Sequence, residues 1–404
     1  MRPESNQIGC CPRFRGRLPL AAAALAALLA WIVPPGESPD ELAHLRYAET
    51  LATGRLPPLA ERGAEGYEAH QPPLGYLLPA LVLATFGGVD VAPTPNPTFD
   101  FHRAGSRAFQ PAFASGRDLA VLRLARSTQA VWAGLAVWAG LVLAGYARCA
   151  APYLLAPQLL FVCATLNNDA ALIACSTVAL LRLARFAESG EGAVASALLV
   201  ALALFVKGSA LFLLVPVAVA AVLAPRPGAE RMPRLPPGML LVLLTAAGVG
   251  AWVAFNFVRF GGVLPPVPTA AHVATLAELV REPRWIGGLF RSFWAKFGWL
   301  NTPMPWPFYV WFALLAAAAA WGALRARKPS GLVLASAPLA NFALVVAYFL
   351  VVDFQPQGRY LLPSLAAVAT LAGASPLRRI ERALEPAALL VALAAVATLA
   401  LAYR

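Results

Sequence analysis

Apolar runs rich in Ala, Leu and Val alternate with short arginine-bearing turns along most of the chain. A membrane-crossing helix needs about 20 apolar residues, or fewer where flanking side chains snorkel. The stretches 18–35, 118–146, 150–166, 169–186, 193–206, 208–224, 238–260, 305–324, 331–352, 359–376 and 387–403 are candidates, so the pattern predicts an all-α, polytopic transmembrane helical bundle of about 11 spans. The run 74–89 is shorter, and Pro79, Gly87 and Gly88 interrupt it.

Charge parity decides the status of 74–89. If it does not cross, then Arg13, Arg15 and Arg17, Arg148, Arg182 with Arg185, the arginines of 226–234, Arg325 to Lys328 and Arg378 to Arg382 all face one side. Short basic loops belong on the cytoplasmic face. If it crosses, every later cluster changes side, so we read 74–89 as a helix lying on or dipping into the outer face. The chain then divides into a cytoplasmic tail 1–17, a transmembrane domain 18–376 with exported loops at 36–117 and 261–304, and a cytoplasmic turn with the last span at 377–404. This makes it a multi-pass membrane protein with a cytoplasmic N-terminus.

Composition agrees. The chain is 13% charged and 59% hydrophobic, with mean hydropathy +0.66, whereas a soluble domain carries about 25% charged residues. A net charge of +12 would suggest nucleic acid in a soluble protein; here the arginines mark one membrane face instead, and no nucleic acid partner is expected. Cys10, Cys11, Cys149, Cys163 and Cys175 lie in the tail, beside a short turn or inside apolar runs, where none staples an exported loop. Arg13, Arg15 and Arg17 before an Ala/Leu run imitate a signal peptide, read here as an uncleaved anchor.

The polar exception is the segment 39–73, bracketed by prolines. Ser38 reads as an N-cap with Glu41 three residues on and Pro39 at the first helical position, and Gly54 reads as the stop. Asp40 and Glu41 are the candidate catalytic carboxylates, with Asp40 as the base, although acidic residues are also ordinary in a first helical turn. His44 shares a helix face with Asp40, and His44 and His70 could join it around a divalent metal, or simply donate and accept hydrogen bonds. Asp40 and Asp169 are the carboxylates to which a metal would be assigned; no cofactor is otherwise indicated. Asp169 closes an Asn-Asn-Asp turn between two spans, where it is either a helix cap or a functional carboxylate. Lysine occurs only at 207, 296 and 328 among 32 basic side chains, so Lys207 inside an apolar run suggests an ammonium facing phosphate, or one snorkelling to the interface. Arg359 with Tyr360 could clamp phosphate or anchor an interface. Trp294, Phe297 and Trp299 could stack on a sugar or form an aromatic belt. No Walker loop, Rossmann fingerprint or repeat occurs, which argues against a nucleotide-driven pump.

Pro-Asp-Glu at 39–41, His-Gln-Pro-Pro-Leu at 70–74, Asn-Asn-Asp at 167–169 and Lys207-Gly208 resemble the GT-C superfamily of polyprenyl-phosphate-dependent glycosyltransferases, which includes protein O-mannosyltransferases and lipid A aminoarabinose transferases. Ser-Phe-Trp at 292–294, Phe-Gly-Trp at 297–299 and Gln-Gly-Arg-Tyr at 357–360 resemble a family of uncharacterised bacterial membrane proteins within it. The resemblance implies membrane-parallel helices in the first exported loop, and inverting transfer of a sugar from a polyprenyl-phosphate carrier to an acceptor hydroxyl on a glycan, lipid or protein. Carried over by position, Asp40 would take the acceptor proton, Asp169 would be the acidic residue of the second outer loop, and Lys207 and Arg359 would meet the lipid phosphate. His44, His70, Gln71 and Tyr360 complete the candidate substrate-binding set. Gln71 stands where some relatives carry an acidic-Lys pair. The rival readings are a transporter or flippase for a lipid-linked intermediate and a non-catalytic protein of the same fold.

Overall fold

Five helices are long and apolar enough to cross a membrane: Asp169–Ser189, Pro237–Phe260, Trp306–Leu324, Pro329–Val351 and Pro376–Ala402. This holds among the residues that the computed structural model describes, 14–59, 67–225, 235–266 and 273–404. Cys10, Cys11, Arg13, Arg62 and the basic turn 226–234 lie outside them. Shorter apolar helices, Gly16–Ile32, Ala193–Val206 and Gly208–Leu223, fill other predicted stretches. The protein is an all-α polytopic membrane protein; its β-structure among the described residues is two short ribbons, Val91–Ala92 with Ala112–Phe113 and Lys296–Phe297 with Thr302–Pro303.

Four predicted spans are not continuous α-helices, 208–224 among them, which opens as the 3-10 segment Gly208–Leu213 before Leu214–Leu223. The stretch 118–146 is built from Gly116–Ser127 and Ala130–Leu143. The stretch 150–166 breaks into Ala151–Leu154 and Pro157–Val162, because Pro157 has no N–H to offer and sterically bars the turn before it. The stretch 359–376 opens as the 3-10 segment Gly358–Ser364, with Pro363 inside it, before Leu365–Ala372.

The helix in 74–89 runs Leu77–Phe86 and stops at Gly87, whose φ is 85°. Ten residues at about 1.5 Å each reach roughly 15 Å, half of a hydrocarbon core of about 30 Å. It packs on the helix Glu41–Ala52, next to which Tyr47 stacks on Tyr76 with ring centroids 4.0 Å apart.

Long-range contacts sort the turns into two ends. At one end Trp299 donates to the Gly36 carbonyl (2.9 Å), Asn301 to that of Ser106 (2.7 Å) and Arg107 to that of Tyr403 (3.1 Å). At the other, Arg148 faces Glu385 (3.7 Å) and Ser330 donates to Glu188. Between them the apolar core divides into one body around Phe161, Trp294 and Phe312 and another around Phe186, Leu204 and Trp252.

Candidate functional site

The helix that carries the Pro-Asp-Glu motif begins at Glu41, not at Pro39. Its N-cap is Asp40, in the left-handed region with φ 68° and ψ 1°, and Asp40 makes no side-chain cap hydrogen bond. Among non-glycine residues Asp tolerates this conformation better than most, at a cost of about 1–2 kcal/mol. Ser38 is therefore not the cap, and the Asp40 carboxylate is turned away from its own helix: Oδ2 accepts from Arg359 Nη2 at 2.9 Å.

Glu41 goes elsewhere. Its oxygens accept from Arg126 Nε (2.7 Å) and Nη2 (2.5 Å), and from the backbone N–H of Gly36 and Leu166. Both side chains are fully buried. Arg126 also donates to the carbonyls of Ala30, Val33 and Pro34, where the first apolar helix ends. This knot ties that helix end, Gly116–Ser127, the 162–169 turn and the start of Glu41–Ala52 together. The residue beside Asp40 thus serves as an anchor, in place of the capping role the sequence suggests.

From Asp40 the charges continue in a line. Arg359 Nε lies 3.9 Å from Asp169 Oδ2, and Lys207 Nζ lies 2.5 Å from Asp169 Oδ1. Asp40, Arg359, Asp169 and Lys207 alternate in sign and arrive from four separated segments. Tyr360 covers them, its ring 5.8 Å from Lys207 Nζ and 5.3 Å from the Arg359 guanidinium carbon, with its hydroxyl on Gln355. A narrow cleft lined by Ser38, Pro39, Gln158, Asn167, Gln357 and Arg359 lies alongside.

Close packing of backbone holds these segments in register. A Cβ on Gly75 would fall 2.8 Å from Asn168 Cβ, so the His-Gln-Pro-Pro-Leu segment fits against the Asn-Asn-Asp turn only with glycine there. A Cβ on Gly358 would fall 2.1 Å from Phe293 N and 2.3 Å from Leu289 O. Gly358 N–H donates to Ser292 Oγ at 2.7 Å, so the Ser-Phe-Trp segment seats the Gln-Gly-Arg-Tyr turn.

His44 is buried and shares a 2.8 Å hydrogen bond between Nδ1 and the Tyr76 hydroxyl. Burial lowers its imidazole pKa below the ordinary value, against the charges of Glu68, Asp40 and Asp169. His70 Nε2 pairs with the Gln71 amide at 2.9 Å, and the Gln71 carbonyl accepts from Tyr47. His44, Gln71 and Tyr76 thus brace one another around Tyr47.

The aromatic residues considered for sugar stacking or an aromatic belt are engaged as follows. Trp294 is stacked on Phe312 in the core at 5.0 Å, Phe297 is buried against Phe161, and Trp299 is engaged with Gly36. Their alternation with small residues could not distinguish core from site. Arg126 is the residue that sequence reading passed over. Its signal was present, since a charge inside an apolar stretch marks a partner or a function.

A divalent metal does not suit this donor set. Among the described residues no three His, Cys, Asp or Glu side chains are grouped to hold one, and Asp40 and Asp169 are each held by a cationic side chain that a metal would have to displace.

The architecture and this end-of-bundle charge cluster define the class: an all-α polytopic membrane protein with paired charges at one end of its helical bundle. Residues 130–368 match the family described as predicted membrane protein DUF2142, and the chain belongs to that family. The matched region includes Asp169, Lys207 and Arg359; Asp40 precedes it. No functionally curated protein matches the chain. Among solved structures it is similar to ArnT from Cupriavidus metallidurans in the apo state, with a TM-score of 0.50 at 17% identity over 88% of this chain and 58% of that one. The same protein bound to undecaprenyl phosphate gives 0.49 at 17% identity, over 88% and 59%. The Archaeoglobus fulgidus oligosaccharyltransferase in complex with Zn and sulfate gives 0.48 at 15% identity, over 96% and 52%. The chain spans between half and three fifths of the length of these proteins, and the likeness to apo ArnT is one of fold.

Proposed function

We propose that the protein is an inverting glycosyltransferase that moves a sugar from a polyprenyl-phosphate carrier to an acceptor hydroxyl at the extracytoplasmic face of the inner membrane. One observation carries the reading: two cations and two carboxylates from four separated segments meet at one end of the bundle. Charges in a membrane protein are expensive and mark function, and this set contains what such a transfer needs.

The acceptor oxygen attacks the anomeric carbon and forms the new glycosidic bond. The bond from that carbon to the phosphate oxygen breaks, and polyprenyl phosphate leaves with the electron pair. The hydroxyl proton passes to an Asp40 carboxylate oxygen. Lys207 and Arg359 neutralise the charge that develops on the leaving phosphate, the kind of stabilisation that dominates many catalytic sites. Asp169 aims both cations. Glu41 anchors the helix that presents Asp40, and His44, His70, Gln71 and Tyr360 shape the pocket for sugar or acceptor. In this topology 1–17 is cytoplasmic, 36–117 and 261–304 are exported, Leu77–Phe86 lies along the outer interface, and a cytoplasmic turn precedes the last span within 377–404.

The test is transfer of radiolabel from a panel of polyprenyl-phosphate sugars to endogenous acceptors, in membranes carrying the wild type or Asp40→Asn at equal protein level. The amide keeps the shape and loses the base, so transfer falls at least about 100-fold. Undiminished transfer removes Asp40 from the role of base, and a wild type that transfers from no donor in the panel overturns the enzyme reading.

A further inference from the structure

Arg359 is needed by two partners. Its Nη2 donates to Asp40 Oδ2 at 2.9 Å and its Nη1 to the Pro39 carbonyl at 3.4 Å, while its Nε has no hydrogen-bond acceptor among the described residues and lies 3.9 Å from Asp169 Oδ2. A guanidinium presents a planar fork that recognises phosphate bidentately. Both bidentate edges of the guanidinium include Nη2, so the donor phosphate and the Asp40 carboxylate compete for the Nη2 N–H groups.

The competition has a direction. An opposite charge at this distance weakens a carboxylate as a proton acceptor, so Asp40 is a poor base while Arg359 holds it. Asp40 retains 22% exposure against 4% for Asp169, so water can take over its solvation when the pair opens, whereas Asp169 has no such replacement. Asp169 is also held by Lys207 at 2.5 Å. Of the two carboxylates, Asp40 is the one built to let go, and Asp169 the one built to keep both cations aimed.

Resting on the glycosyltransferase reading, we infer that the Asp40–Arg359 ion pair is a latch opened by the phosphate of the donor itself, which takes the Arg359 guanidinium and releases Asp40 as proton acceptor only when a donor is in place. Asp169 is the positioning residue of this exchange. An acceptor hydroxyl arriving first meets a carboxylate that is still engaged.

The latch makes an unusual demand: removing the base must improve phosphate binding. The full chain in phosphatidylcholine nanodiscs is titrated with undecaprenyl phosphate, with uncharged undecaprenol as the control and neither sugar nor acceptor present. Asp40→Asn, and Asp40→Ser as a second variant, are expected to bind undecaprenyl phosphate about tenfold tighter than the wild type, because a competitor that leaves about a tenth of Arg359 free reduces apparent affinity by that fraction. In an Arg359→Ala background the same substitutions at Asp40 change nothing. Equal or weaker binding by both Asp40 variants, in a protein that prefers undecaprenyl phosphate to undecaprenol, overturns the latch and leaves the donor site standing. A wild type without that preference overturns the donor site, and the latch with it.

Discussion

Glu41 and Arg126 meet in a bidentate ion pair with both side chains fully buried, although 85 positions separate them. Burying two charges is favourable only with complete hydrogen bonding, and removing one partner of such a pair destabilises by about 3–5 kcal/mol. Glu41→Ala and Arg126→Ala are therefore expected to lower the midpoint of thermal unfolding in detergent sharply. Asp40→Asn lowers it less, since Asp40 is partly exposed and Arg359 keeps Asp169 nearby. Equal losses at positions 40 and 41 would contradict this division between neighbouring carboxylates.

Glu37 gives the protein a pH dependence of its own. Burial pushes its carboxyl up from 4.5 to about 7. Between these values the folded state holds a proton that the unfolded chain releases, so the contribution is fully present below about pH 4.5 and lost as pH rises through 7. Glu37→Gln mimics the protonated form, and relative to wild type it gains stability at pH 8, by up to about 3 kcal/mol, while the two coincide near pH 4.5. Because His44 is shared by both proteins, its opposite acid sensitivity cancels in the comparison. Unfolding midpoints at pH 5 and pH 8 read the difference, and a gap that does not widen toward alkali refutes the assignment.

The apolar helices were legible because burial in lipid requires only length and composition, both carried locally. Breaks were less so: Pro157 is visible, but the junction at 128–129 has no proline or glycine to mark it. The charge cluster was legible in its residues and illegible in its partnerships. Asp40, Asp169, Lys207 and Arg359 stand out as polar residues beside apolar runs, yet nothing local says that Asp40 reaches Arg359 across 319 positions while Glu41 turns toward Arg126. That choice follows from the left-handed backbone at Asp40, which redirects its side chain. Trp294 and Phe297 misled for the same reason: an aromatic next to a turn packs inward or outward according to neighbours far along the chain.

Gly358 tests whether backbone packing sets the position of Arg359. A methyl group there would meet Phe293 N and Leu289 O, neither of which can rotate away. Gly358→Ala is expected to displace the 358–360 turn, lose the Ser292 hydrogen bond, lower the unfolding midpoint and weaken undecaprenyl phosphate binding. Gly287, in the helix Arg284–Trp294 that carries Phe293, has nothing within 4 Å of the added carbon. Gly287→Ala should be neutral or stabilising by about 0.4–1 kcal/mol. If both substitutions behave alike, the close approach at Gly358 is not what seats Arg359.

Lys207 and Asp169 allow structure and function to be separated. Each is largely buried, at 14% and 4% exposure, with 2.5 Å between Nζ and Oδ1. Lys207→Met leaves a buried carboxylate with Arg359 at 3.9 Å as its remaining partner in the cluster, and Asp169→Asn leaves two cations facing an amide. Either change alone is expected to destabilise the protein, because an uncompensated buried charge is worse than none. Lys207→Met combined with Asp169→Asn removes both charges, so its loss of stability should be smaller than the sum of the single losses, with a coupling of about 0.5–3 kcal/mol. Phosphate binding follows the opposite rule. The paired substitution still lacks the ammonium, so undecaprenyl phosphate binding stays at the level of Lys207→Met however well the protein is folded. Recovery of binding along with stability would mean that Lys207 serves only to neutralise Asp169, and the phosphate subsite would then have to be assigned to Arg359 alone.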